Sequence, residues 1–296
     1  MMIFVTLGWG SSYVFTKSGT AFLAPFNFVA LRFSLAFLVA ALLFLPHFKR
    51  LDKKTLKESV ILGFLLFVMY ALVNLGVSKT SIANSSFLVS LTVIFVPCIS
   101  ALLLKQRPGI HVMWGALVAM VGIAFLTLHK SLSLNSGDFI CIGAALVYSC
   151  HILYTSRVAK QCDSICLGVL QLGVAGFLGT VAAFLFETPV LPQTTRLWID
   201  VLFLSVFCTA ACFILQVFAQ KYTTASHIAV IYSLEPVSAA IFAYLAVGET
   251  LRPLGYLGAA LIFAGVLITE LPQVLQSNRI KRAKSSAEND KISQNM

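Results

Sequence analysis

Apolar residues in this chain come in long unbroken runs, not in the alternation of a half-buried strand or the narrow stripe of a surface helix. A helix needs about 20 apolar residues to cross the hydrocarbon of a bilayer, and runs of that size recur here between charged, proline or glycine breaks. They predict ten spans near 2–17, 26–46, 60–78, 80–104, 110–128, 138–157, 165–186, 198–219, 225–247 and 254–271. The first lacks a basic leading region and an Ala-x-Ala site, which predicts a retained helix and not a cleaved signal. Connections are short except for the basic stretch 47–59 and the polar stretch 272–296, which holds Arg279, Lys281, Arg282 and Lys284. The latter loses its apolar content and is expected to be a disordered basic tail.

Composition agrees with the pattern. Of 296 residues, 59% are hydrophobic and 11% charged, with a mean hydropathy of +0.92. A soluble domain carries about 25% charged residues, so too few polar groups are present to cover a water-facing surface. The excess of 21 Lys and Arg over 11 Asp and Glu belongs to the loops of a polytopic protein and excludes nucleic acid as the partner. Alternate loops hold 15 and 5 basic residues, with Arg32 inside a span. This bias predicts that both termini face the cytoplasm, in the plasma (inner) membrane. Seven cysteines, odd in number and mostly inside apolar runs, do not form a disulfide framework. The pairs Cys162/Cys166 and Cys208/Cys212 lack the His and acid neighbours of a metal site, so no metal or other cofactor is expected.

A shift of 143 residues aligns Thr80 with Thr223, Ser90-Leu91 with Ser233-Leu234, Gly115-Ala116 with Gly258-Ala259, and Gly122 with Gly265. Each half then carries five helices, and an odd number forces the second copy to enter the membrane from the opposite face. The expected fold is an all-α membrane protein of ten transmembrane helices arranged as two inverted five-helix repeats. The first repeat spans 1–128 and the second 138–271, with the basic cytoplasmic tail at 272–296.

Particular motifs sharpen this. Gly8-Trp9-Gly10-Ser11-Ser12-Tyr13, Arg32-Phe33, Thr80-Ser81 and Phe87-Leu88-Val89-Ser90-Leu91 mark the first half. Ser233-Leu234-Glu235-Pro236-Val237, Gly248-Glu249-Thr250 and Gly255-Tyr256-Leu257-Gly258-Ala259-Ala260 mark the second. Together they resemble the EamA family of the drug/metabolite transporter superfamily over nearly the whole chain. The first half departs from the pattern with Gln106 in place of Glu249 and Thr92-Val93 in place of Glu235-Pro236.

Polar groups deep in a span cost several kcal/mol unless they face protein or water, so they point to a pathway. Glu235 is the one acid near the middle of a span, and Pro236 beside it removes a backbone donor. The pair reads as a coupling site or as a packed kink. Pro97, in the equivalent span of the first half, reads as a second kink. Arg32 could draw in an anionic group or pair with a helix terminus, and His151 could exchange a proton or simply bond a neighbouring helix. Trp9, Tyr13, Asn74, Asn84, Tyr148, Gln171, Gln216 and Tyr232 complete a candidate cavity, because aromatic walls with a few amides suit small organic solutes.

Function follows in outline. Resemblance to the EamA family implies a secondary transporter of small metabolites such as amino acids, with export favoured over uptake or exchange. Alternating access about a midplane site is the mechanism that inverted repeats allow. No phosphate-binding Gly-x-x-x-x-Gly-Lys-Ser/Thr loop occurs, which leaves a coupling ion such as H⁺, or solute exchange, as the energy source. A membrane-embedded enzyme using Glu235 and His151 is the competing class, but His-Glu-x-x-His and Gly-x-Ser-x-Gly are both absent from the sequence.

Overall fold

The computed structural model describes residues 1–272 apart from 21, 78, 81, 104, 106, 107, 128–134 and 249, and leaves out the side chains of 13, 14, 17, 18, 50, 77, 82–84 and 247. The tail from 273 onward, Gln106 and Glu249 therefore lie outside the described residues, as do the side chains of Tyr13 and Asn84. No strand occurs among the described residues. The helices are α1 (Met2–Thr20), α2 (Pro25–Leu43), α3 (Lys53–Val77), α4 (Ile82–Val89), α5 (Thr92–Leu102), α6 (Ile110–Thr127), α7 (Ser136–Val158), α8 (Ser164–Phe186), α9 (Thr195–Phe203), α10 (Cys212–Gln220), α11 (Ala225–Tyr232) and α12 (Leu234–Val247). A last helix, α13, covers Pro253–Pro272. Nine helical stretches among the described residues are long and apolar enough to cross a membrane, and Met2–Ser12 adds a shorter apolar one.

Burial runs opposite to that of a soluble fold. Phe22, Leu42, Phe64, Leu102, Trp114, Phe177, Phe184 and Leu245 face outward, while Arg32, Asp138, His151, Gln171, Gln216 and Gln220 are buried. This is the distribution expected when the surrounding solvent is hydrocarbon, where polar groups must find protein or enclosed water. The chain is an integral multi-pass membrane protein.

Local chemistry sets the helix ends. Asn135 and Asp138 form a reciprocal capping box at the start of α7, and Asp163 accepts from the amides of Ile165 and Cys166 at the start of α8. At the start of α3, Asp52 accepts from Thr55 N, and the Thr55 hydroxyl and amide hold its carboxyl below the usual value. Pro25 opens α2, where a missing N–H is harmless. The next amides, of Phe26 and Asn27, donate to the Glu187 carboxylate at 2.9 and 2.8 Å.

Two helix pairs cross with their backbones in contact. Gly173, Gly176 and Gly179 of α8 lie against Phe37, Ser34 and Ala30 of α2, so these helices run antiparallel. On the other side, Gly115 and Gly122 of α6 meet Gly265 and Gly258 of α13, again in antiparallel order. A Cβ at Gly258 would stand 2.6 Å from the Gly122 carbonyl, a distance no side chain tolerates, so close approach is what requires glycine here.

The fourth and ninth spans are each interrupted. α4 and α5 are separated at Ser90-Leu91, and α11 and α12 at Ser233. Backbone bonds tighten there to three-residue turns, Leu91 to Leu88 and Ser233 to Val230. Hydroxyls add bonds to carbonyls beside the interruptions: Thr92 donates to Val89, whose four-residue donor Val93 turns to Ser90 instead, while Ser90 and Ser233 donate to the Ser86 and Val230 carbonyls that their own amides also meet. Pro97 lies within the continuous α5, so the interruption of the fourth span falls nearly two turns before it. Pro236 occupies the first turn of α12, a position where proline fits a helix without distortion. The interruption of the fourth span thus coincides with Ser90-Leu91 and not with Pro97, whereas that of the ninth, at Ser233, directly follows Tyr232, the residue four before Pro236 whose carbonyl the proline cannot serve.

The eighth span is irregular in another way. Between α9 and α10 the residues Leu204–Ala211 form a π-helical segment, a widened turn that changes the direction in which its side chains leave the axis.

Candidate functional site

The π segment aims Thr209 at the buried Arg32 of α2, whose Nε donates to the Thr209 hydroxyl at 2.6 Å. The guanidinium also lies 5.5 Å from the Tyr70 ring centre and 6.0 Å from that of Phe33, a cation–π arrangement that steadies a charge out of water. From there aromatic rings continue across the molecule. Phe33 meets Tyr70 at 4.9 Å and Phe213 at 6.1 Å; Phe213 meets Trp9 at 5.2 Å; Trp9 meets Tyr232 at 5.0 Å. Tyr232 stacks on Tyr148 at 6.1 Å with planes 3° apart, and Tyr148 stacks on His151. Trp9 is held by its indole N–H, which donates to the Cys208 carbonyl of the same π segment at 3.0 Å.

This cluster joins the two halves. Trp9, Arg32, Phe33 and Tyr70 come from α1, α2 and α3, whereas Tyr148, His151, Thr209, Phe213 and Tyr232 come from α7, the eighth span and α11. Glu235 is half-buried in the first turn of α12, where the helix N-terminus favours a negative charge. It acts electrostatically on Tyr70, Tyr148 and Tyr232, and Arg32 acts on Tyr70 as well. One guanidinium, one carboxylate and a wall of aromatic faces therefore share a single neighbourhood. Such a set can hold a small solute with both charged and apolar parts.

Beside it lies a neutral polar group of residues. His151 and Gln171 are bonded through Nε2 and Oε1 at 3.0 Å. An amide oxygen only accepts, so Nε2 is the donor in this pair, and in the neutral imidazole Nδ1 then keeps a lone pair. Gln220 donates to the Ile152 carbonyl at 3.2 Å. His151 Nδ1, Gln171 Nε2, both amide atoms of Gln216, Gln220 Oε1 and the Tyr232 hydroxyl are buried with no protein partner in full hydrogen-bonding geometry, although the Tyr232 hydroxyl faces Tyr148 and Gln216 closely enough to interact with both. Each such atom, if dry, costs about 1–3 kcal/mol.

The residues singled out by sequence divide as follows. Trp9, Arg32, Tyr148, His151, Gln171, Gln216, Tyr232 and Glu235 lie in this neighbourhood, but Asn74 sits near the end of α3, where its amide donates to the Pro25 carbonyl at 3.3 Å. Tyr70, Thr209 and Phe213 were not apparent beforehand. Tyr70 carries the signal that marked Tyr148 and Tyr232, a phenol in mid-span. Thr209 and Phe213 carry none, because a threonine and a phenylalanine in an apolar run are ordinary.

Acids elsewhere, the buried Asp138 and the partly buried Glu58 and Glu270, serve structure. Asp138 accepts from the Thr80 hydroxyl at 2.6 Å, Tyr154 donates to Glu58, and His227 meets Glu270 at 2.7 Å, joining α11 to α13. No group of three or more His, Cys, Asp or Glu side chains suited to a metal ion occurs among the described residues.

Comparison with known proteins places this geometry. A family model described as the EamA-like transporter family matches residues 1–128 and again 135–271. An uncharacterized transporter of Archaeoglobus fulgidus is 31% identical over 267 residues, covering 90% of this chain and 83% of its own length. The uncharacterized transporter YoaV of Bacillus subtilis is 25% identical over 275 residues, covering 90% and 94%. A solved protein crystal structure shares the fold, with a TM-score of 0.78 at 18% identity over 91% of this chain and 95% of that one.

Proposed function

Because the chain belongs to the EamA-like transporter family, we propose that it is a secondary active carrier that exports small metabolites such as amino acids by alternating access. The observation that carries this reading is the buried cluster of Arg32, Tyr70, Trp9, Tyr148, Tyr232 and Glu235, contributed by both halves and bordered by the interrupted ninth span. Charged and aromatic groups gathered inside a membrane protein give an amphipathic solute its partners away from lipid.

The halves act as two inverted five-helix repeats, 1–128 and 138–271. Support comes from the helix pairs: the second and seventh spans cross antiparallel, as do the fifth and tenth. The first span packs on the ninth as the sixth packs on the fourth. An exchange of conformation between such halves opens a shared midplane site first to one side and then to the other. Both termini face the cytoplasm of a cell whose plasma membrane holds the protein, in line with the loop charges, and Glu235 couples transport to H⁺.

The test is transport by the full chain in proteoliposomes against a panel of amino acids and related metabolites, with and without a pH gradient. Saturable movement of at least one solute, accelerated by the gradient, is the expected result. Movement of none, by protein that is folded and inserted, would overturn the reading. Cysteine labelling near residue 290 from each side of the membrane checks the orientation independently.

A further inference from the structure

The buried atoms without protein partners are unevenly placed. Among the described residues, none lies in a span of the first half. Ser156 and His47, the latter between the second and third spans, hold one each, and the other six atoms belong to His151, Gln171, Gln216, Gln220 and Tyr232. Gln216 and Gln220 are one turn apart on α10, and Tyr148 and His151 are about one turn apart on α7. Gln220 is tied to α7 through Ile152 O, and His151 to α8 through Gln171. The set therefore forms one column between α7, α8, α10 and α11. Its upper end is Tyr232, near Glu235, and its lower end points to the termini of α7 and α10 at Val158 and Gln220.

The chemistry of the column is specific. It offers donors from Gln171 and Gln216, acceptors from His151, Gln216 and Gln220, and a phenol that does both. It has no metal-ligand cluster and no fixed charge along its length, with Glu235 and Arg32 only near its upper end. An anion or a cation would find no counter-charge along it, and the penalty of leaving all six atoms dry would be comparable with the net stability of an ordinary fold. A molecule that donates and accepts equally, is small enough for a packed interior and needs several polar partners is water.

We propose that these five side chains bind a file of ordered water molecules inside the second half, running from Glu235 toward the end of the molecule that holds Val158 and Gln220. This inference deepens the carrier reading, because the file would serve Glu235 as its route for a proton. A proton entering from that end would pass along the water hydrogen bonds and past His151, leaving each molecule neutral behind it, and would rest on the Glu235 carboxylate. The titratable groups facing the route are Tyr148 and His151 from α7, Tyr232 from α11 and Glu235 from α12. Cys212 of α10, Tyr70 of α3 and Arg32 of α2 lie near its upper end, and α8 contributes the neutral Gln171.

X-ray radiolytic footprinting of the full chain in detergent tests this without any transported solute, since hydroxyl radicals form where water is bound. Tyr148, Tyr232 and His151 should be modified at least fivefold faster than Phe33, which is buried as fully as His151 and slightly more than the two tyrosines but belongs to the apolar part of the cluster. In the paired variant Gln216→Leu/Gln220→Leu the Tyr232 rate should fall about fivefold, while exposed Tyr222 and buried Trp9 keep theirs. If the three side chains label no faster than Phe33, the column is dry and the proposal fails. A parallel fall at Trp9 would assign the labelling to opening of the whole cluster and would also overturn it. Should the paired variant fail to fold, Gln216→Met alone gives the same comparison. Failure of transport leaves these rates unchanged, so the two readings fail separately.

Discussion

The fourth and ninth spans break at the same place and put different chemistry there. In the fourth, Ser90 and Thr92 return their hydroxyls to Ser86 and Val89, and Thr92 also reaches the Ala145 carbonyl of α7 at 3.3 Å. In the ninth, Ser233 plays the part of the serine, but the residue equivalent to Thr92 is Glu235, next to Pro236. The backbone interruption is thus common to both halves and is served by hydroxyls, whereas the carboxylate occurs in one half only. A break in a helix needs no acid, and the proposed coupling of transport to H⁺ would give the acid at this break a task of its own.

Replacing each member of the pair would separate those tasks, and the largest effect is expected at the acid. Glu235→Gln keeps shape and removes charge, and should lower accumulation driven by a pH gradient at least thirtyfold in proteoliposomes. Thr92→Val, at the matching site, should change it less than twofold. Equal losses at the two sites would mean that the break itself is what matters.

The prolines sharpen the comparison through stability. Pro97 stands inside α5, where proline disfavours a helix by about 3 kcal/mol, so Pro97→Ala should stabilise the protein by roughly 1–3 kcal/mol in thermal unfolding. Pro236, in a first turn, should give a change within about 0.5 kcal/mol when replaced by alanine. Stabilisation by both to the same degree would place α12's start elsewhere.

Most alike should be the serines. Ser90→Ala and Ser233→Ala each remove a hydroxyl bond to a helix carbonyl beside the break, worth about 1 kcal/mol or less. Their effects on unfolding should agree within about 0.5 kcal/mol, and a wide difference would show that the two breaks are not equivalent.

The spans were readable because hydrocarbon thickness imposes a run length on any crossing helix. The fifth, expected at 110–128, is Ile110–Thr127, and the seventh, expected at 165–186, is Ser164–Phe186. Interruptions were less legible. Proline is the conspicuous helix breaker in a sequence, yet the interruption fell at Ser90-Leu91 because hydroxyls there can supply hydrogen bonds that a tightened turn loses. The π segment was illegible for a related reason. Leu204-Ser205-Val206-Phe207-Cys208-Thr209-Ala210-Ala211 holds no glycine or proline, and the widening suits contacts with Trp9 and Arg32 from distant parts of the chain. Asn74 illustrates the limit for single polar residues: an amide in a span is equally apt for a cavity and for a neighbouring helix start, and only the fold places it beside Pro25.

The carboxylate of Glu187 receives the first free amides of α2, across 160 and 161 positions of sequence. During synthesis at about 5–20 residues per second, that acceptor arrives roughly 8–32 seconds after the amides it serves. Through that interval Phe26 and Asn27 must rely on interfacial water or on the insertion machinery. The second span therefore enters the membrane with an unfinished end, and its final seating waits for the seventh span. A chain stopped at residue 128 would lack this partner altogether, so the first half inserts ahead of the second but is completed by it.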